Sequence, residues 1–194
     1  VQPLRFDAWA IGEAREDGLV SGFNSWEGKL MDREDFMARA IEIAASAMDE
    51  VGTLPYGAVV VLDGKIVGEG LNRAVALRDP TSHGEVEAIR DACKRLGTTD
   101  LSGAEMYTSA EPCSMCVATM ILANMTRLVY AADWRDSTRF MQAMAGDNPT
   151  VKRRYTTVEL REQVSRAPED RDMPAERMGA AEANAMLDTY VAKR

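Results

Sequence analysis

Strand, helix, strand, helix and strand signals follow one another between residues 58 and 132, an order that predicts an α/β domain around a central sheet. Three observations carry this prediction. The apolar run Ala58-Val59-Val60-Val61-Leu62 is joined to Lys65-Ile66-Val67-Gly68-Glu69-Gly70 by Asp63-Gly64, and Asp-Gly between two β-rich runs is a strong signal for a type I′ hairpin. Two further β-rich runs, 104–109 and 127–132, flank a helical segment that opens on Pro112, where proline is tolerated. The helical segments place apolar residues three and four apart. With 194 residues, 46% of them hydrophobic, the chain has the size of one domain with some length left for arms.

Residues 1–31 carry Gly12, Gly18, Gly22 and Gly28 among Trp9, Phe23 and Trp26 and keep no regular period. They are expected to form an arm that packs its aromatics on the domain or on a partner subunit. A helix is predicted over 32–51, capped by Asp32 with Asp35 in its first turn. Its apolar face is Phe36, Ala40, Ile43, Ala44, Ala47, Met48 and Val51, and Gly52 ends it. The first strand of the hairpin is apolar throughout and so is expected to be covered on both faces. The second gives way to loop at Leu71-Asn72-Arg73, where Asn72 is either a turn residue or a polar side chain reaching a ligand. Asp79-Pro80-Thr81-Ser82 announces a helix over 83–96, with Ser82 and Glu85 at capping-box spacing. Its buried stripe is Val86, Ile89, Ala92, Cys93 and Leu96, so Cys93 reads as core. Gly97 stops that helix. After the strand 104–109, the helix from Pro112 runs to about Asn124, and 127–132 returns to strand. Asp133-Trp134-Arg135-Asp136 is read as a loop, 137–144 as a short helix, and 146–150 as a Gly/Asn/Pro break. An edge strand is expected at 156–160 and a last helix at 174–193, with Ala181, Ala185, Met186 and Val191 as a weak stripe. The domain proper is thus 32–145, and 146–194 is a C-terminal segment that packs on it or on a partner.

The net charge of −8 argues against a broad nucleic-acid surface, because phosphate binding is mainly the work of Lys and Arg. The triplet Lys152-Arg153-Arg154 reads as solvated surface. No apolar run reaches membrane-spanning length, and no Lys/Arg-led apolar segment opens the sequence. Three cysteines, two of them in a C-x-x-C, suit a metal site in a reducing cytoplasm better than a disulfide framework.

The chemistry concentrates between His83 and Cys116. His83 is the only histidine, and Cys113 and Cys116 are two of the three cysteines. One imidazole and two thiolates are donors zinc prefers, and three protein ligands leave a fourth tetrahedral position for water, as in a catalytic site. Each ligand group stands at a predicted helix start, where the positive end of the helix favours thiolate. Cys113 and Cys116 at i and i+3 share a helix face. Glu85, two residues after His83, can take a proton from a zinc-bound water and pass it to a substrate nitrogen. Glu87 points away along the helix and reads as a surface or supporting residue. Trp134 either stacks on a ligand or packs beneath its loop.

His83-Gly84-Glu85 followed by Pro112-Cys113-Ser114-Met115-Cys116, with Cys113 30 positions after His83, resembles the signature of the cytidine deaminase-like superfamily of zinc-dependent nucleobase deaminases. The resemblance spans roughly 33–145 and includes Pro55-Tyr56-Gly57-Ala58-Val59-Val60, Gly70-Leu71-Asn72-Arg73, Asp79 to Arg90 and Tyr107 to Cys116. Within the superfamily the chain looks closest to bacterial guanine deaminases. The resemblance implies a three-layer α/β/α sandwich with a central five-stranded mixed sheet, a homodimer, and one Zn2+ per chain on His83, Cys113 and Cys116. It implies Glu85 as the proton shuttle, Asn72 as a substrate hydrogen-bonder, and Tyr56 and the backbone at Gly84 and Ala110-Glu111 as pocket wall. Tyr130-Ala131-Ala132-Asp133-Trp134-Arg135-Asp136 is similar to the segment carrying a ligand-binding aspartate in guanine deaminases, which puts that role on Asp136 and sets Trp134 beside it. Two positions depart from that branch. Gly84 stands where alanine is common, and Tyr56 where phenylalanine is usual.

The expected activity is hydrolytic deamination of a free nucleobase or similar aminated heterocycle, guanine first, with release of ammonia. A cytosine or nucleoside deaminase would use the same metal site with another pocket, and a tRNA adenosine deaminase would need a basic groove. A zinc-stabilised interaction protein without activity is the reading from another class, and the intact Glu85 speaks against it.

Overall fold

A computed structural model describes residues 31–145, 155–173 and 175–193. The N-terminal arm expected over 1–31 therefore lies outside the described residues except for Met31, as do the break at 146–150, the Lys152-Arg153-Arg154 triplet and Pro174. Among the described residues the fold is α/β: four strands in one open mixed sheet and six α-helices. The strands are β1 (Leu54–Leu62), β2 (Lys65–Asn72), β3 (Glu105–Ala110) and β4 (Arg127–Ala132), in the order β2-β1-β3-β4. β1 pairs antiparallel with β2 and β3, and β3 pairs parallel with β4. The hairpin turn is the one expected, with Asp63 and Gly64 both at positive φ.

Alternation along β1 builds two cores. Ala58 and Val60 face α2 (Gly84–Leu96) and α3 (Ser114–Leu122) together with Met106, Ile89 and Met120. Val59 and Val61 face the other way, toward α1 (Arg33–Ala45), with Leu71 and Tyr107. A strand covered on both faces can be apolar at every position. Asp32 caps α1 through a reciprocal pair with Asp35. Phe36 then packs its ring 5.4 Å from that of Tyr107, a burial worth about 1.5–3 kcal/mol.

Several expected elements change. α1 ends at Ala45, not at 51, because Ser46 Oγ donates to the Ile43 carbonyl and a 3-10 turn follows. Met48 and Val51, assigned to its buried face, are 83% and 97% exposed. Leu96 is likewise exposed, while Cys93 packs partly buried against the core. The expected loop at 133–136 is the first turn of α4 (Trp134–Ala145). Asp133 Oδ1 accepts the N–H groups of Arg135 and Asp136 and starts the helix. The expected fifth strand at 156–160 is instead α5 (Thr157–Ser165), since Thr156 and Glu159 form a capping box. The last helix, α6, begins at Ala180, not at 174, after Gly179 at positive φ. Among the described residues no helix is long and apolar enough to cross a membrane.

α2 approaches the hairpin so closely that backbone meets backbone. A Cβ at Gly70 would strike the Gly84 carbonyl oxygen, and a Cβ at Gly84 would strike the Tyr56 carbonyl oxygen. Tyr56 lies at an irregularity of β1 between Leu54 and Gly57. Side chains of β3 hold that irregularity: Gly57 N–H donates to Ser109 Oγ, and Thr108 Oγ1 donates to the Gly57 carbonyl. Gly84→Ala is therefore expected to lower stability by about 1–3 kcal/mol, the usual cost of overpacking, and to lower zinc content by displacing the start of α2. Urea denaturation and metal analysis check this; an alanine variant with both values unchanged would refute the collision.

Candidate functional site

Two helix starts form the site. His83 is the N-cap residue of α2 and Cys113 that of α3, and neither side chain caps its own helix. The imidazole and the thiol are thus left for another task. Both helices lie on the same face of the sheet, so Cys116, one turn into α3, points to the same place. His83 Nδ1 is 3.6 Å from Cys113 Sγ and 3.5 Å from Cys116 Sγ, and the two sulfurs are 3.7 Å apart. Zinc bonds of about 2.3 Å to sulfur and 2.0–2.1 Å to nitrogen at tetrahedral angles give edges of about 3.8 Å and 3.5–3.6 Å. The three atoms therefore already form one face of a zinc-sized tetrahedron, and they are the metal-binding cluster found among the described residues.

The electrostatics agree. Cys113 and Cys116 are buried. A hydrogen bond from Cys116, with His83 beside it, holds the Cys113 thiol down to about 3, far below the usual thiol range. Cys116 is pushed up, first by its hydrogen bond to Cys113 and then by burial. The pair keeps one proton between two sulfurs, and only a cation would let both be thiolates.

Glu85, in the first turn of α2, is 6% exposed. Burial is the main cause that raises its pKa, and His83, Cys113 and Cys116 are its electrostatic neighbours. A buried carboxyl beside a metal cluster, with its affinity for a proton raised, is suited to proton transfer. The expected Ser82–Glu85 capping box does not form. Ser82 Oγ donates instead to Glu87 Oε1, at 2.8 Å, and Arg90 pairs with the same carboxylate. Glu87 thereby braces the residue before His83 and leaves Glu85 to the cluster.

The other candidate residues fall at different distances from this centre. Asn72 is 1% exposed, and its Oδ1 accepts the Ala74 N–H at 3.2 Å. The next residue, Arg73, donates its N–H to the Ser82 carbonyl and so ties the end of β2 to the His83 turn. Gly84 and Tyr56 adjoin through backbone, and the Tyr56 ring stands edge-on to Phe140 of α4, with centroids 6.0 Å apart. Trp134 is half-buried, donates its N–H to Glu111 Oε2 at 3.0 Å, and carries the Arg135 guanidinium over its ring. Asp136 is exposed, and its carboxylate accepts the Asp133 N–H and pairs with Arg139 at 3.1 Å. Sequence patterns do not point to Phe140, and at Glu111 they point to the backbone and not to the side chain. Phe140 becomes visible only once 133–136 is read as a capped helix start, which puts Trp134, Ser137 and Phe140 along one side of α4.

Residues 30–132 match the cytidine and deoxycytidylate deaminase zinc-binding region. The chain is 42% identical over 107 residues to a guanine deaminase of Bacillus subtilis, covering 55% of this chain and 69% of the relative. The crystal structure of guanine deaminase from Bacillus subtilis superposes with a TM-score of 0.72 at 30% identity, covering 84% of this chain and 95% of that one. A tRNA-specific adenosine deaminase of Agrobacterium fabrum is 43% identical over 103 residues, which is 53% of this chain and 67% of the relative. A protein solved in complex with 2,6-diaminopurine superposes with a TM-score of 0.52 at 32% identity, covering 55% of this chain and 59% of that one.

Proposed function

This chain belongs to the cytidine and deoxycytidylate deaminase zinc-binding family, and we propose that the base it deaminates is guanine. Its family and relatives make it a zinc-dependent hydrolytic deaminase. One observation carries the choice of base: the structural likeness to the Bacillus subtilis guanine deaminase extends over 84% of this chain and 95% of that one. By sequence the guanine deaminase and the tRNA-specific enzyme match over similar shares, 55% and 53% of this chain, so the structural likeness makes the distinction. The net charge of −8 also supports a small substrate over an RNA.

His83, Cys113 and Cys116 would hold the zinc. When bound, the ion supplies an acidified water and stabilises developing negative charge. Glu85 accepts a proton as water adds to the amidine carbon and delivers it to the adjoining ring nitrogen. It then takes the second proton from the added hydroxyl and passes it to the exocyclic amine; the carbon–nitrogen bond breaks, the carbonyl forms, and ammonia leaves. Asn72, its amide oxygen engaged by Ala74, turns its NH2 donors to the acceptor edge of the purine. Tyr56, Gly84 and Trp134 wall the pocket. Asp136 accepts N–H groups of guanine after giving up Arg139.

The same reading places the domain in the three-layer α/β/α class, supported by α1 on one face of the sheet and α2 and α3 on the other. It makes the protein a cytoplasmic homodimer, with a reducing compartment keeping the ligand thiols free. Exposed apolar side chains on α3 (Ile121, Leu122) and on α6 (Met186, Leu187, Val191) support the dimer.

An ammonia-release screen over guanine, cytosine, adenine, their nucleosides and aminated triazines tests the substrate, and guanine is expected to be the best. Release from a nucleoside or an RNA adenosine in preference to any free base would overturn the choice. Asp136→Asn is expected to raise KM for guanine by about 10–100-fold, the worth of a charge-assisted hydrogen bond, with zinc content unchanged. Unaltered kinetics would remove Asp136 from the pocket.

A further inference from the structure

The carboxylate of Glu111 joins three segments around the site. Its own N–H donates to the Ala132 carbonyl at the end of β4. Its Oε2 accepts the N–H of Trp134, the first residue of α4, and its Oε1 accepts Arg161 Nη2 of α5 at 3.0 Å. The side chain is only 16% exposed, and a carboxylate so covered needs its partners. A helix start leaves four N–H groups without intrahelical acceptors. In α4 the Asp133 N–H goes to Asp136 Oδ2, the Trp134 N–H goes to Glu111, and those of Arg135 and Asp136 go to the Asp133 side chain. Glu111 therefore completes the cap of α4, and its charge suits the positive end of that helix.

On the far side, Arg161 belongs to the C-terminal segment. Its neighbour Leu160 packs against the core cluster that includes Cys113 and Cys116. The ion pair thus connects α5 to the residue two before Cys113 and to the helix that presents Trp134, Asp136 and Phe140. We propose that Glu111 is a positioning residue, coupling the C-terminal segment through Arg161 to the α4 wall of the substrate pocket. This rests on the deaminase reading above. It makes the C-terminal helix a contributor to substrate affinity through one carboxylate, with no contact of its own to the reacting atoms.

Three variants test it: Arg161→Met, Glu111→Gln and the double variant. Arg161→Met and Glu111→Gln are each expected to raise KM for guanine about three- to tenfold, with kcat within about twofold and zinc content unchanged. The double variant should be no worse than the worse single one, because the two side chains act as a pair. Amide hydrogen exchange is expected to quicken in α5 and at Trp134 in each variant. Unchanged exchange in α5, or additive effects in the double variant, would overturn the coupling. A fall in kcat with loss of zinc would make Glu111 a brace of the metal turn and overturn the proposal as well. The exchange measurement needs no substrate. A protein that deaminates no base while its variants loosen α5 refutes the deaminase reading and leaves the tether standing. Should Glu111→Gln fail to fold, Arg161→Met, altering an exposed side chain, carries the test by itself.

Discussion

Glu85→Gln is expected to lower the rate of ammonia release by about 10²–10⁴-fold, the range for losing a general acid–base group, while zinc stays bound. Glutamine has the shape of glutamate and can still donate or accept a hydrogen bond, but it cannot carry one proton from the attacking water to the ring and a second from the added hydroxyl to the amine. The effect should fall on kcat, because both transfers occur after the base is bound. Stability should respond in the opposite sense. Burial raises the Glu85 pKa, so the folded metal-free protein holds this proton to a higher pH than the unfolded chain does. Between the two values the folded state binds more protons, and stability falls as pH rises. The glutamine variant lacks that loss and should lie above the parent apoprotein at neutral pH. Single-turnover kinetics, zinc analysis and urea denaturation across the range above the ordinary carboxylate pKa check these points together. Activity that survives the substitution would take the proton-shuttle role from Glu85.

How far the fold is legible depends on how local its causes are. Asp63-Gly64 specifies its own turn, and the apolar run of β1 already says that both faces will be covered. The ends of helices are less local. Seven apolar residues at helical spacing extend the expected α1 to Val51, yet Met48 and Val51 are exposed because Ser46 turns its hydroxyl onto the Ile43 carbonyl. Thr156-Thr157-Val158-Glu159-Leu160 has the composition of a strand. The capping pair Thr156 and Glu159 outweighs β-propensity there.

The site divides along the same line. The metal cluster is legible because its parts are tied to residue type: one histidine, a C-x-x-C, and helix starts that put them on one face of the sheet. The walls of the pocket are not, because they arise from contacts between distant segments. Gly84 reads in sequence as a departure from its branch. In the structure it is the position where the irregularity of β1 leaves no room for a Cβ. Glu111 reads in sequence only as backbone of the pocket wall before Pro112, with no role for its carboxylate. Its importance depends on Trp134 and Arg161, 23 and 50 positions away in the chain.

Cys116→Ser is expected to abolish zinc binding and, with it, all ammonia release. Cys116 is 0% exposed and lies within the apolar core, so a serine there meets no water and has far less tendency to ionise than a thiol. A three-ligand site that loses a thiolate keeps one imidazole and one sulfur, too few to hold the ion against buffer or chelator. The parent protein should also show the proton this thiol must release. Cys116 is pushed up by its hydrogen bond to Cys113 and by burial, so it is protonated in the apoprotein. Zinc must displace that proton, and zinc affinity should therefore fall as pH is lowered. Calorimetric titration of the apoprotein with zinc, in buffers of different ionisation enthalpy, measures the release directly. Cys93→Ser, which alters a thiol outside the cluster, should bind one zinc per chain as the parent does. A Cys116→Ser variant that retains full zinc and activity would show that the ion rests on other residues, and the assignment of the site would fall with it.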